Sequence, residues 1–287
     1  DLVRSRGLGD VYKRQLLNIG FYIERWQEIE DMEDEMKRLR AYVNEHLWDE
    51  RTAFLYDRYG DGTLCTTKGI GAFWALQADA LDKERLDRMV AHLSDTTEFD
   101  RPHRVPSLSA DHPKYNPLGR YWQGGVWPGT NYMTIDGLYR KGYHDLAREI
   151  AANHYAAVFE VWKNTGTFWE YYAPEKIEPG FMARKDFVGW TGLPPIAVFI
   201  EYILGVKSDY SEGRIVWDIE HTEAHGIERY PYGPDGVVGL KVKGRNSAGD
   251  VHAVSVTTNV PFDLTVTWGD GQSRTVRVEK SGSVKLN

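Results

Sequence analysis

Glu170 is the residue whose neighbours best suit it to chemistry. It lies in Thr167-Phe-Trp-Glu-Tyr-Tyr172, with aromatic residues on both sides. A carboxylate among aromatic rings is partly desolvated, which raises its pKa and makes it a better base. The same residues also fit a structural glutamate bonded to a backbone amide or a tyrosine hydroxyl. A second stretch, Gly119-Arg-Tyr-Trp-Gln-Gly-Gly-Val-Trp-Pro-Gly-Thr-Asn-Tyr132, sets Tyr121, Trp122, Trp127 and Tyr132 among glycines and side-chain amides. Ring faces beside amide donors suit a sugar, which has apolar C–H faces and a rim of hydroxyls, and glycine lets the backbone approach a ligand closely. A core turn rich in aromatics would have the same composition. A third stretch, Asp186-Phe-Val-Gly-Trp-Thr-Gly192, adds Asp186 and Trp190.

These loops need a scaffold, and the hydrophobic period supplies one. Leu16–Glu24 is a short apolar-periodic segment. Ile29, Met32, Met36, Leu39 and Val43 recur every three or four residues, so residues 28–47 are expected to be helical. Further helices are expected over 69–79, 83–93, 126–140 (with Pro128 in its first turn), 143–163 and 193–204. Phe54–Asp57 with Tyr59–Gly62 reads as a small hairpin. A long Pro-containing loop, 94–123, carries Arg101, His103, Arg104, Asp111 and Tyr115 as rim candidates; loops of that length are commonly functional. Helices paired by short turns and long aromatic loops predict a mainly α chain, the C-terminal part of an (α/α)6 toroid. After Gly205 short alternating runs such as Val238/Leu240/Val242 and Leu264/Val266/Trp268 predict a small all-β sandwich-like domain over 211–287. The helical domain is then 16–206. Residues 1–15 fit neither part. Asp10-Val-Tyr-Lys-Arg-Gln15 back-translates to a sequence like a transposon-end adaptor of sequencing libraries, so the stretch reads as a non-native artefact or a disordered tail on a fragment of a longer enzyme.

Composition narrows the partners. The chain has 287 residues and a net charge of −7, leaving no basic surplus to neutralise nucleic-acid phosphates. No run of 18 apolar residues is present, so no membrane span is expected. Cys65 is the single cysteine, which rules out an intrachain disulfide. His46 and Cys65 lack metal-ligand spacing and no phosphate-binding loop occurs, so no cofactor or metal is expected. The 10 Trp and 17 Tyr favour a carbohydrate partner.

Taken together, Tyr121-Trp-Gln-Gly-Gly-Val-Trp127 with Asn131-Tyr132, the Glu170 loop, and Asp186-Phe-Val-Gly-Trp-Thr-Gly192 resemble the C-terminal half of the (α/α)6-barrel glucosidases. These are glycoside hydrolase family 63 and its bacterial relatives, including mannosylglycerate hydrolases, and more distantly the trehalases. The resemblance spans about residues 65–205. It departs from the family pattern at Gln123, where Arg is common, and at Val188 before Gly189. It implies an inverting hydrolase of an α-glucoside or related α-linked sugar, with an oligosaccharide or glycoside as partner and Glu170 as general base. Trp122, Trp127, Trp169 and Trp190 would wall the subsite, and Gln123, Asn131 and Tyr132 would bond sugar hydroxyls. Asp186 would orient Glu170 or a water, or else N-cap the following helix. The family's general acid is an Asp in a Gly- and Trp-rich motif of the N-terminal half. No such motif occurs here, and Asp100, Asp111 and Asp186 fit it poorly, so the fragment alone is expected to be inactive. The other reading is a non-catalytic carbohydrate-binding protein on the same fold.

Overall fold

The computed structural model describes residues 6–269 and 271–286. The chain divides into two compact units, Asp1–Pro194 and Pro195–Asn287.

In the first unit, α1 (Arg6–Tyr22), the single turn α2 (Trp26–Ile29) and α3 (Met32–His46) come first. Residues 6–15 of the stretch read as non-native are therefore helical, and residues 1–5 lie outside the described residues. α3 buries Met36 and Val43, and Ile29 is buried before it, along the stripe expected from the sequence. A two-residue pair follows, β1 (Trp48–Asp49) with β2 (Phe54–Leu55). The nearly all-apolar segment Ile70–Gln77 is a 3-10 helix that buries Ile70, Phe73, Ala75 and Leu76. α4 (Lys83–Ala91) is capped by Asp82, whose side chain accepts from Arg85 N (2.9 Å), and tightens into a 3-10 turn, His92–Ser94. α5 (Pro128–Arg140) opens on its proline. α6 (His144–Thr165) is the long support of the unit. It ends at Gly166, whose φ of 73° is the left-handed cap conformation that glycine adopts without strain.

The second unit begins with a π-helical stretch, Pro194–Ile203, and continues as eight strands: β3 (Val206–Asp209), β4 (Arg214–Ile219), β5 (His225–Tyr232), β6 (Gly236–Val242), β7 (Ala253–Thr258), β8 (Phe262–Trp268), β9 (Gln272–Val278) and β10 (Gly282–Lys285). They form two four-stranded sheets, ordered β10-β7-β6-β5 and β3-β4-β8-β9, with β4 and β8 parallel and the other pairs antiparallel. Alternate residues of β8 (Phe262, Leu264, Val266, Trp268) point inward and meet Trp217, Val238, Leu240, Val254 and Val256 in one core.

The expectation of a mainly α chain is corrected by this architecture. Helix accounts for 36% of the chain and strand for 23%, in three sheets. Two physical causes account for the difference. The β unit is a third of the chain and carries its own core. Within the first unit, the Pro-, Gly- and aromatic-rich segments 95–127 and 166–189 hold their shape without regular helix, so toroid-like pairing stops at a few helices. The main contacts between helices are α1 with α3, and α5 with α6 and with Ile70–Gln77.

Segment 95–127 is held by polar pins. Arg104, 4% exposed, donates to Glu149 Oε1 (2.6 Å) and Leu93 O (2.7 Å) and lies 3.1 Å from Asp100 Oδ1. Asn153 of α6 accepts from Arg104 N (2.9 Å) and donates to Pro102 O (3.0 Å). His103 and His154, both fully buried, share a hydrogen bond between Nε2 and Nδ1 (2.9 Å). His103 N also donates to Pro174 O (2.8 Å), five residues past Glu170's neighbour Trp169. Burial pushes the His154 imidazole down to about 3, and burial together with His154 holds His103 well below the ordinary histidine range. An unfolded imidazole takes up its proton near pH 6.5, so below that pH the unfolded chain binds more protons than the folded one. Stability should therefore fall as pH drops from 7 to 5, by up to about 1.4 kcal/mol per pH unit for each imidazole. Urea unfolding across that range measures the slope, and His154→Gln should flatten it. A wild-type slope equal to that of the variant would remove the pair from the pH dependence.

Candidate active site

The two loops singled out in the sequence are joined by one backbone pair. Val126 N donates to Tyr172 O (2.9 Å) and Tyr172 N to Val126 O (3.0 Å), an isolated antiparallel bridge with both residues fully buried. Around it lie Val158, Val161 and the partly buried Phe168, Trp169 and Ile177. Gly125 precedes the bridge because nothing larger fits there: a Cβ would lie 2.4 Å from Tyr121 O. Tyr121 itself has a φ of 49°, and its carbonyl accepts from Gly125 N (3.0 Å) and from the Trp127 indole (3.2 Å).

This bridge assembles an aromatic ledge. Trp127 is 5% exposed and lies beneath Trp122, whose ring stacks on it (4.7 Å, 17°) and is 49% exposed. Tyr171 packs on Trp127 (4.5 Å), Tyr121 meets Trp127 edge-on (5.1 Å), and Trp190 sits 5.8 Å away with Phe187 beside it (4.7 Å). A buried indole under an exposed one leaves a rigid apolar face open to solvent, the surface a sugar C–H face can lie on.

Glu170 emerges at this ledge from a fixed backbone. Its N–H donates to Arg184 O (3.0 Å) and its carbonyl accepts from the Trp190 indole (2.7 Å). Trp169 N donates to the Tyr172 hydroxyl (3.3 Å), and Trp169 O accepts from Thr191 Oγ1 (2.7 Å). The Glu170 side chain is half-buried and has no hydrogen-bond partner among the described residues. Trp169 pairs with Lys185 in a second antiparallel bridge, which sets Arg184 opposite Glu170, and directly opposed residues share a face. The Arg184 guanidinium lies over the Phe187 ring (6.0 Å), with no carboxylate at ion-pair distance among the described residues. Sequence reasoning passed over Arg184 because its only signal is this cross-strand register, which no motif announces.

Other sequence candidates serve different ends. Asn131 is fully buried: its Oδ1 accepts from Val105 N (2.8 Å) and its Nδ2 donates to Val105 O and Trp127 O (3.1 Å each). Its amide clamps the long loop to α5 and has no reach to a sugar hydroxyl. Asp186 accepts from Thr167 Oγ1 (2.7 Å) at a φ of 56°, and the turn after it has Gly189 at its N-cap with no side-chain bond. Trp169 is partly buried, and its indole donates to Thr165 Oγ1 (3.1 Å). Gln123 is half-buried on the turn that carries Trp122, and Tyr132 is half-buried in the first turns of α5.

The rim candidates are ion-pair and hydrogen-bond partners of the scaffold. Arg101 grips Glu175 through Nε (2.6 Å) and Nη2 (2.7 Å), and the Tyr115 hydroxyl donates to the same carboxylate (2.6 Å). Arg101 holds Glu175 below the usual carboxylate range, while burial and Glu175 push the Tyr115 hydroxyl well above its own. Asp111 accepts from Ser109 (2.7 Å) and pairs with Lys68 (3.3 Å). Asp100 and Asp111 are thus engaged in holding the loop, and the described residues contain no cluster able to ligate a metal.

Comparison with known proteins agrees with this geometry. A probable mannosyl-oligosaccharide glucosidase of Schizosaccharomyces pombe is 27% identical over 198 residues, covering 63% of this chain and 24% of that protein. A mannosylglycerate hydrolase of Rubrobacter radiotolerans is 27% identical over 183 residues, covering 61% and 38%. The crystal structure of a family 63 mannosylglycerate hydrolase from Thermus thermophilus, solved with glucose, superposes with a TM-score of 0.57 at 22% identity over 68% of this chain and 43% of that one, a likeness of fold. The chain spans less than half the length of these relatives. The profile of the mannosylglycerate hydrolase MGH1-like glycoside hydrolase domain matches residues 12–187, a span that contains the Val126–Tyr172 bridge, most of the ledge and Glu170, and the chain belongs to that glycoside hydrolase family.

Proposed function

We propose that this chain carries the base side of an inverting glycoside hydrolase site that acts on an α-glucoside or a related α-linked sugar. The observation that supports this most directly is Glu170: a half-buried carboxylate without a partner, on an immobilised backbone, beside an exposed indole ledge. In an inverting mechanism such a carboxylate takes a proton from the attacking water while an acid on the opposite face, about 6.5–9.5 Å away, protonates the leaving oxygen. Trp122 and Trp190 hold the ring, and Gln123 and Tyr132 address its hydroxyls. The acid comes from residues beyond those of this chain, because Asp100 and Asp111 are committed to Arg104, Ser109 and Lys68. The chain alone therefore binds sugar without hydrolysing it.

A finer reading of the substrate follows from Arg184. A cation opposite Glu170 with no acidic partner suits a glycoside whose leaving group is anionic. Relatives named mannosylglycerate hydrolases point the same way, since glycerate is a carboxylate.

In a longer chain that supplies the acid, Glu170→Gln should abolish turnover and spare sugar binding, and the first product should carry the inverted anomeric configuration by NMR. Undiminished turnover would take Glu170 out of the mechanism. Persistent sugar binding with no turnover even in the longer wild-type chain would favour the carbohydrate-binding reading. Arg184→Ala should weaken mannosylglycerate about ten- to hundredfold, the loss of one charge-assisted hydrogen bond, and leave a neutral methyl glycoside unaffected. Equal loss for both ligands in a titration would exclude charge recognition by Arg184.

A further inference from the structure

The outer face of α6 carries a row of rings that the core does not use. Tyr155, Phe159 and Trp162 follow at four- and three-residue spacing, which places them on one side of the helix. The row continues past the helix end into Phe168. Its planes are close to parallel: 10° between Tyr155 and Phe159 (6.1 Å), 27° between Phe159 and Trp162 (5.7 Å), and 27° between Trp162 and Phe168 (6.5 Å). Phe159 is 47% exposed and Trp162 40%, although the opposite face of α6 already buries Ile150, Ala157, Val158 and Val161. Two large rings held in water on a helix with a filled core face call for an occupant.

The surroundings indicate which occupant. Lys163 and Asn164 border the rings, each 3.3 Å from the Glu160 carboxylate, long exposed contacts that a competing hydroxyl can replace. Protein interface cores are depleted in such charged groups. Near-parallel rings bordered by an ammonium, an amide and a carboxylate match a chain of pyranoses, apolar on its faces and hydroxylated on its rim. The row also leads to the candidate site: Phe168 lies two residues before Glu170, and its carbonyl accepts from Phe187 N (3.0 Å). We propose that the Phe159–Trp162 row is a second carbohydrate-binding surface, which takes a neutral α-linked oligosaccharide along α6 and holds it beside the Glu170 loop. Its use in catalysis rests on the glycosidase reading; its binding does not.

Calorimetric titration of the chain with maltoheptaose and with D-glucose tests this. Wild type should bind the oligosaccharide more tightly than the monosaccharide. Trp162→Ala should weaken maltoheptaose roughly tenfold, as expected for the loss of one aromatic stacking partner, and leave glucose unchanged. Phe159→Ala should act in the same direction, and Trp162→Phe should retain most of the affinity, so the outcome does not depend on one variant folding. Trp122→Ala reports on the Glu170 ledge separately; its failure to affect glucose would count against the proposed active site and leave the α6 surface standing. Maltoheptaose affinities of Phe159→Ala and Trp162→Ala within about twofold of wild type would overturn the proposal. So would a wild-type dimer in sedimentation that Trp162→Ala dissociates, because the row would then be a contact between copies.

Discussion

The Val126–Tyr172 backbone pair is the constraint on which the site depends. It has only two hydrogen bonds, but it lies where the two aromatic loops must meet. Trp127 follows directly on one side and enters α5; Tyr171 precedes directly on the other and packs on Trp127. Releasing the pair would separate the ledge from the segment that carries Glu170. Both residues are fully buried, so each bond is made away from water, where leaving an amide or carbonyl unpaired costs about 1–3 kcal/mol. The neighbouring backbone is treated the same way: the Trp169 and Glu170 amides and carbonyls all have partners. With the main chain immobilised, the Glu170 carboxylate is the polar group left available, which is the preorganisation a reacting group needs.

That rigidity is supplied mostly by polar pins, because segments 95–127 and 166–189 are too poor in periodic apolar residues to pack as helices. Arg101 with Glu175, Arg104 with Glu149, His103 with His154 and Asn131 with Val105 each tie residues that are 26 to 74 positions apart in sequence. Several are buried, so the loss of one partner leaves the other desolvated and unpaired, a larger penalty than the bond itself was worth. A loop stabilised in this way is specific in shape and sensitive to single substitutions. The β unit is held differently, by an alternating apolar core that spans both sheets.

This contrast decides what could be read from the sequence. Alternation in Leu264, Val266 and Trp268 and the three-to-four spacing from Met32 to Val43 translate directly into buried faces, because periodicity records which side meets the core. The Trp- and Gly-rich stretches showed where aromatics would gather. They did not show whether a polar side chain among them would face out or in. Asn131 looked like a sugar ligand beside Tyr132, yet its amide is taken by a backbone segment 26 residues away. Arg101 and Tyr115 looked like rim residues, yet both converge on Glu175. The balance of helix and strand was misjudged for the same reason: long stretches ordered by distant polar contacts carry no period, so the eye extends the helices on either side.

The departure at Gln123 acquires a structural context from the turn that holds it. Gln123 N donates to Arg120 O (2.8 Å), and Gln123 O accepts from Asn116 N (2.8 Å), so residues 120 and 123 face each other across one tight turn. Where the family pattern places an arginine at the second of these positions, this chain has a neutral amide there and an exposed arginine, Arg120, at the first. The charge next to Trp122 is displaced by one turn and remains present. Arg120 has no ion-pair partner among the described residues, and the same holds for Arg184 across the ledge. A chain with a net charge of −7 that leaves cations unpaired on both sides of an aromatic ledge concentrates positive potential there. Specificity at this site is therefore set by where these two arginines can reach, and the neutral residue at 123 moves the position of charge recognition without abolishing it.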